Sequence, residues 1–277
     1  MPGKLYLVPT PIGNLGDLSP RAAEVLGAVD FIAAEDTRVT AKLLNHLGIR
    51  KPMVSYHDHN LRERGEQIIA RILAGESCAQ CSDAGTPAIS DPGEVLVRQA
   101  IEAGIRVEPI PGPCAAITAL CASGIATGRF CFEGFLSVNK KSRRDHLLEI
   151  SNEQRTMIFY EAPHKLCNTL RDLYETLGDR QITIARELTK LHEEIRRTTL
   201  SAANAEYAQR EPKGEYVLVV EGAQPAPMTE GHTMEQAVLL ARQLIDQGMR
   251  PVEACKSAAA QTGYKKSDIY AQLINKE

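Results

Sequence analysis

Four short stretches of this 277-residue chain join proline, glycine and small or acidic side chains in a way that suits ligand chemistry. They are Pro9-Thr10-Pro11-Ile12-Gly13-Asn14, Ser82-Asp83-Ala84-Gly85-Thr86-Pro87 with Ser90-Asp91-Pro92-Gly93 behind it, Pro111-Gly112-Pro113-Cys114-Ala115-Ala116, and Tyr160-Glu161-Ala162-Pro163-His164-Lys165. Proline stiffens a corner, glycine admits backbone angles that other residues avoid, and small side chains let a flat ligand reach main-chain amides. Taken singly, each stretch reads as a tight turn. Together, with acids in two of them, they read as the rim of a ligand site. His57-Asp58-His59-Asn60 offers two imidazoles, but two ligands do not complete a metal centre, and no metal is expected. Cys78-Ala-Gln-Cys81 has no second pair to make a zinc ribbon and lies in a strand-like run, so it reads as packing.

Several familiar chemistries are missing from the sequence. No Gly-x-Gly occurs, which removes the Rossmann dinucleotide fingerprint and the glycine loop of the commonest methyltransferases. There is no Gly-Lys-Ser/Thr phosphate loop and no Gly-x-Ser-x-Gly elbow.

Corners of this kind need strands and helices to hold them. Short apolar runs at Lys4–Pro9, Phe31–Glu35, Met53–Tyr56, Ser77–Ser82 and Ile105–Ile110 predict strands. Between them come helices: one opened by Ser19-Pro20 and running to about Ala28, one capped by Asp36 and stopped at Gly48, and two near Arg62–Ala74 and Asp91–Ala103. Strands alternating with helices predict an α/β protein with largely parallel pairing, and ligands in such sheets sit beyond the strand ends, where the four corners fall. Phe130–Phe135 reads as extended. Ser137–Arg144, with Lys140, Lys141, Arg143 and Arg144, reads as a linker or mobile loop and sets a domain boundary. A second series follows, with strands at Thr156–Tyr160, Ile182–Ala185, Glu194–Leu200 and Tyr216–Val220 and a helix over Pro163–Leu177. Pro225-Ala-Pro227 marks a further linker, and the tail from Thr233 reads as two or three short helices. The expected domains are 1–136, 137–223 and a linker with a small helical tail over 224–277.

Composition agrees with a globular protein: 43% hydrophobic and 24% charged residues, with no apolar run near the ~20 residues needed to cross a bilayer. The start lacks a signal-peptide layout, and seven cysteines in mostly apolar surroundings read as reduced thiols, so a cytoplasmic protein without membrane contact is expected. A net charge of -3 neither announces nor forbids nucleic-acid contact, because local basic patches suffice.

The motifs at 5–14, 33–38 (Ala-Ala-Glu-Asp-Thr-Arg), 82–87, 111–120, 159–165 and 185–190 (Ala-Arg-Glu-Leu-Thr-Lys) occur in that order. On them the chain resembles the ribosomal RNA small subunit methyltransferase I family of the tetrapyrrole methylase superfamily. The resemblance runs from about residue 4 to 222, roughly four fifths of the chain. It implies two αβα domains with a cofactor cleft between them, S-adenosylmethionine as cofactor, and a homodimer. It also implies 16S rRNA or the small ribosomal subunit as partner, with methylation of the ribose 2′-oxygen of a decoding-site cytidine. Carried over by position, Pro11, Ile12 and Gly13 would border the cleft. Asp83, Ala84, Gly85 and Thr86 would line the methionine and ribose side, and Gly112, Pro113, Cys114 and Ala115 would touch the cofactor. Tyr160, Leu188 and Tyr216 would wall the adenine. The implied reaction needs a proton acceptor, for which Glu161, His164, Glu187 and Asp36 are candidates. Arg38, His57, His59, Asn60, Lys165, Arg186 and Lys190, with the basic stretch Lys140, Lys141, Arg143 and Arg144, are candidates for holding RNA. Lys165 stands where the family commonly has arginine, and Cys81 where an aliphatic is usual. Two other readings stay open: a precorrin-type tetrapyrrole methylase on the same fold, and a non-catalytic RNA-binding assembly factor.

Overall fold

The computed structural model describes residues 2–224 and 233–274, so the linker expected at Pro225–Pro227 lies outside the described residues. The chain divides into two units, Met1–Gly222 and Ala223–Glu277.

The first half of the larger unit alternates strand and helix. In order these are β1 (Lys4–Leu7), α1 (Pro20–Ala28), β2 (Phe31–Ala34), α2 (Thr37–Leu47), β3 (Met53–Ser55), α3 (Leu61–Leu73), β4 (Cys78–Cys81), α4 (Gly93–Glu102), β5 (Arg106–Pro109) and α5 (Ala115–Ser123). Helix starts are fixed locally. The Ser19 hydroxyl accepts from the Ala22 amide, and Asp36 Oδ1 accepts from the Arg38 amide. Gly48 ends α2 in the left-handed region. The five strands are all parallel, in the order β3-β2-β4-β1-β5. One face packs Leu26 of α1 and Leu43 and Leu44 of α2 against Val8, Ile32 and Cys81. The other packs Ile68 and Ile72 of α3 and Leu96 of α4 against Leu5, Phe31 and Cys78. Both faces are covered, which is why β2 and β4 are buried throughout.

The second sheet departs from expectation in two ways. Its strands are β6 (Phe130–Phe135), β7 (Thr156–Glu161), β8 (Gln181–Arg186), β9 (Glu194–Thr199) and β10 (Tyr216–Val220), ordered β6-β7-β10-β8-β9. Only β6·β7 is parallel; β10 runs antiparallel to β7 and β8, and β8 to β9, so largely parallel pairing fails here. One pair follows from its connection: β8 and β9 are joined by a loop too short for a helical crossover, so they run antiparallel. Strand β6, placed by sequence before the boundary at 136/137, pairs instead with β7 and so belongs to the second sheet.

The basic stretch at 137–144 is not a loop. It begins α6 (Lys140–Glu149), whose first amides, those of Lys141 and Ser142, are accepted by Asn139 Oδ1. Arg143 reaches across to Asp172 Oδ2 at 2.6 Å and Thr169 Oγ1 at 2.9 Å. The apolar anchor lies further along, at buried Leu147. With α7 (Pro163–Leu177) and α8 (Leu200–Tyr207), α6 covers one face of this sheet through Leu147, Leu166, Leu170, Leu173 and Leu200. Helix α5 covers the other through Ala116, Ala119 and Leu120 against Ile158, Ala185 and Val219.

The smaller unit comprises α9 (Met234–Asp246), α10 (Pro251–Thr262) and α11 (Lys266–Ile274) around Ala237, Ala241, Cys255, Ala258 and Ile269. Thr233 and Gln236 form a reciprocal capping box at its start. Among the described residues no helix is long and apolar enough to cross a membrane.

Candidate active site

Because every strand of the first sheet points the same way, its strand-end corners share one edge, and direct bonds join them there. Thr10 and Gly85 exchange both backbone hydrogen bonds at 3.0 Å, and the Thr10 hydroxyl donates to the Ser82 carbonyl. The Thr86 hydroxyl donates to the Pro113 carbonyl at 2.7 Å. Gly112 lies so close to Pro9 that a Cβ on it would stand 2.6 Å from the proline Cβ. The three corners at 9–14, 82–87 and 111–116 therefore converge. The second sheet closes against them: the Ala116 amide donates to the Tyr160 hydroxyl at 3.2 Å, and Gly13 abuts Leu188, Thr189 and Lys190.

Between them lies a cavity of about 510 Å³, within the range of roughly 300–1,000 Å³ usual for small-molecule sites. Ile12, Asp83, Ala84, Gly85, Thr86, Cys114, Ala115, Tyr160, Leu188 and Tyr216 line it, with Glu161. Pro11, Gly13, Gly112 and Pro113 are not among the lining residues; Gly13, Gly112 and Pro113 instead meet Lys190, Pro9 and Thr86 where the corners touch. Lining residues to which the sequence gave no role of their own include Glu35, Ile89, Phe135, Ala185, Glu215 and Val217. Asp91, noted in the second corner, also lines it. Its Oδ1 accepts from the Ala88 and Gly93 amides and so shapes the adjoining loop.

The wall is rich in acids. Glu35, Asp83, Asp91, Glu161 and Glu215 line the cavity, while none of the described lining residues is lysine, arginine or histidine. Glu35 and Asp83 clasp each other's strand ends: the Asp83 amide donates to Glu35 Oε2 at 3.1 Å, and the Asp36 amide donates to Asp83 Oδ1 at 3.0 Å. Burial, reinforced by nearby Asp83, Asp91 and Asp58, pushes the Glu35 carboxyl above the usual carboxylate range. Burial likewise raises Asp83, and it pushes the Tyr160 phenol up to about 12. Ile12, Ala185, Leu188 and Val217 give the cavity its apolar lining.

The candidate proton acceptors separate by position. Asp36 is held by Arg38, which keeps its carboxyl down at about 2, and it caps α2 outside the cavity. Glu187 Oε1 accepts from Lys190 Nζ at 2.9 Å and from the Glu215 amide at 3.0 Å, and it too lies off the wall. His164 is exposed and does not line the cavity. Glu161 does line it, but both carboxylate oxygens are engaged, one by the Ala162 amide and one by the Thr169 hydroxyl.

The candidate RNA-holding residues are not gathered in one place. Arg186 pairs with Glu194, Lys190 with Glu187 and Glu215, and Arg38 with Asp36. Asn60 Oδ1 accepts from the His57 amide, and the rings of His57 and His59 stand edge to face at 5.9 Å. No metal-holding group exists among the described residues. Lys140, Lys141 and Arg144 are exposed on α6, Lys165 is half-buried on α7, and Arg143 is bound into the fold. Four non-glycine residues with left-handed backbone, Ala88, Ser90, Glu187 and Thr189, occupy the two loops that flank the cavity. No local residue pattern marks them beforehand.

Comparison with known proteins places this architecture among relatives. Residues 4–204 match the family of tetrapyrrole (corrin/porphyrin) methylases. The chain is 49% identical over 278 residues to ribosomal RNA small subunit methyltransferase I of Synechocystis sp., covering 99% of each chain. It is 49% identical over 272 residues to the Haemophilus influenzae protein of the same name, covering 97% of this chain and 95% of that one. Among solved structures, the methyltransferase CobJ aligns with a TM-score of 0.62 at 21% identity, over 80% of this chain and 95% of that one. Diphthine synthase aligns with a TM-score of 0.58 at 16% identity, over 79% and 90%. Likeness at such identities speaks for the fold alone.

Proposed function

The chain belongs to the tetrapyrrole methylases and, within them, to the ribosomal RNA small subunit methyltransferase I family, and on that premise we propose that it methylates 16S rRNA with S-adenosylmethionine. The acceptor we assign is the ribose 2′-oxygen of a decoding-site cytidine, and the working form a cytoplasmic homodimer. The observation that carries this reading is the meeting of three proline- and glycine-rich corners around one acid-walled cavity.

The residues present fit a sulfonium nucleoside. Ile12, Ala185, Leu188, Val217 and Tyr216 give an apolar slot for a purine, and the Asp83–Thr86 corner gives small residues for the amino-acid end. Glu35, Asp83 and Asp91 favour a cation over a neutral or anionic ligand. When bound, S-adenosylmethionine supplies a methyl group already activated on sulfur, so the protein need not provide an acid. Its tasks are to align the acceptor oxygen, to exclude water and to take the hydroxyl proton. Alignment of this kind contributes roughly 7–11 kcal/mol. For the proton we assign Glu35: it lines the cavity, gives one oxygen to the Asp83 amide, and burial makes it more basic than an ordinary carboxylate.

The test is mass-spectrometric mapping of ribose methylation in 16S rRNA from a strain lacking this gene. A single missing 2′-O-methyl on a decoding-site cytidine, restored by the purified protein on subunits from that strain, is the expected result. An unchanged methylation map refutes the reading.

A further inference from the structure

Strand β6 forms an edge of the second sheet, and its alternation is broken once. Phe130 pairs with Thr156 and Phe132 with Ile158, then the register slips so that Gly134 faces Phe159 and Phe135 faces Tyr160. Glu133 is the extra residue. In a regular strand Phe132 and Phe135, three residues apart, would point to opposite faces of the sheet; with the bulge both rings lie on the Tyr160 side, edge to face with it at 5.0 and 5.6 Å. The bulge depends on Gly134, whose φ of 64° is left-handed and whose missing side chain lets the Ser90 hydroxyl approach. The Tyr160 ring is itself fixed by the Ala116 amide at its hydroxyl. The result is an aromatic ring on a rigid support, at the cavity wall, yet 52% exposed.

Charge decides what such a ring can receive. The acid wall repels phosphate, so a nucleic acid must present a base and ribose to the cavity and keep its backbone outside. Immediately after Phe135 the chain turns into α6, where Lys140, Lys141 and Arg144 are exposed and form no ion pair among the described residues. An aromatic platform beside unpaired cations is the pairing that binds single-stranded nucleic acid.

We propose that Phe135 is the stacking platform for the acceptor nucleobase, holding the base at the cavity mouth while the neighbouring phosphates meet the start of α6. This rests on the function proposed above and names the residue that selects an unstacked base as its acceptor.

The test compares wild type with Phe135→Ala, Phe135→Leu and Phe135→Trp. The substrate is small ribosomal subunits from a strain lacking the gene, and S-adenosylmethionine affinity is followed by calorimetry. In the alanine and leucine variants the KM for subunits is expected to rise roughly 10- to 100-fold, as for loss of one stacked base. The kcat should change little, the tryptophan variant should return to near wild type, and cofactor affinity should hold in all three. The leucine variant keeps the apolar bulk, so a folding defect cannot imitate the result. An unmoved KM, a comparable loss of cofactor affinity, or dissociation of an oligomer would each overturn the proposal. A wild-type protein that neither binds S-adenosylmethionine nor methylates subunits would overturn the underlying function as well, and that failure shows without any variant.

Discussion

Half-buried at the cavity and near the charges of Asp83 and Asp91, the Glu35 carboxyl keeps its proton to a higher pH than a carboxylate in water. A group whose folded value is raised stabilises the fold most below its unfolded value, and that stability is lost as pH rises through the folded value. Glu35→Gln should therefore raise the Tm at pH 7, and the gain should vanish below the ordinary carboxylate range. Differential scanning calorimetry across pH checks this. The same variant should lower kcat by roughly 10²–10⁴-fold if the carboxylate takes the acceptor proton, leaving subunit KM nearly unchanged. Its cofactor affinity should also lose part of the fall otherwise seen on acidification, since a protonated Glu35 no longer attracts a cation. Much of this wall was readable from residue types: Asp83, Ala84, Gly85, Thr86, Cys114 and Ala115 stood out as small or acidic residues at strand ends. Glu35 did not, because Asp36 beside it carries the same charge. Only the turn of the chain, which sends Asp36 to cap α2, leaves Glu35 at the cavity.

The corners work as elements because they are stiff and mutually bonded. Gly112→Ala places a methyl carbon 2.6 Å from Pro9 Cβ, and neither proline-bounded corner can yield cheaply. Overpacking of this kind costs about 1–3 kcal/mol. The Tm should fall by about 2–4 °C for each kcal/mol, with weaker cofactor binding alongside. Helices α1 and α2 were legible because Ser19, Pro20, Asp36 and Gly48 mark their ends in residue chemistry. Helix α6 was not. Its first five residues carry four cations and no apolar side chain, and its buried anchor, Leu147, comes two turns later. The β6 bulge was equally hidden, since a one-residue slip is a property of the pairing with β7 and Phe130–Phe135 alone reads as an ordinary strand.

At the scale of the molecule, the two sheets divide the labour. The parallel sheet gathers loops at one edge, and the mixed sheet supplies a facing wall, with α5 passing from the Pro111–Ala116 corner onto that sheet. The layered first half was legible from alternating strand and helix patterns. The mixed pairing of the second half was not, because strand direction is set by contacts distant in sequence. All the cavity-lining residues fall between Ile12 and Val217, and the helices after residue 222 have a core of their own. A chain ending at Gly222 should therefore fold and bind S-adenosylmethionine with unchanged affinity, as calorimetry would measure. The left-handed residues Ala88, Ser90, Glu187 and Thr189 each hold about 1–3 kcal/mol of conformational tension. Glycine at Ala88 or Ser90 would relax it at the cost of greater chain freedom, whereas at Glu187 it would also remove the contacts to Lys190 and the Glu215 amide. Substitution at these four positions thus exchanges local tension for loose loops at the rim of the cavity, so added endurance has to be sought elsewhere in the chain.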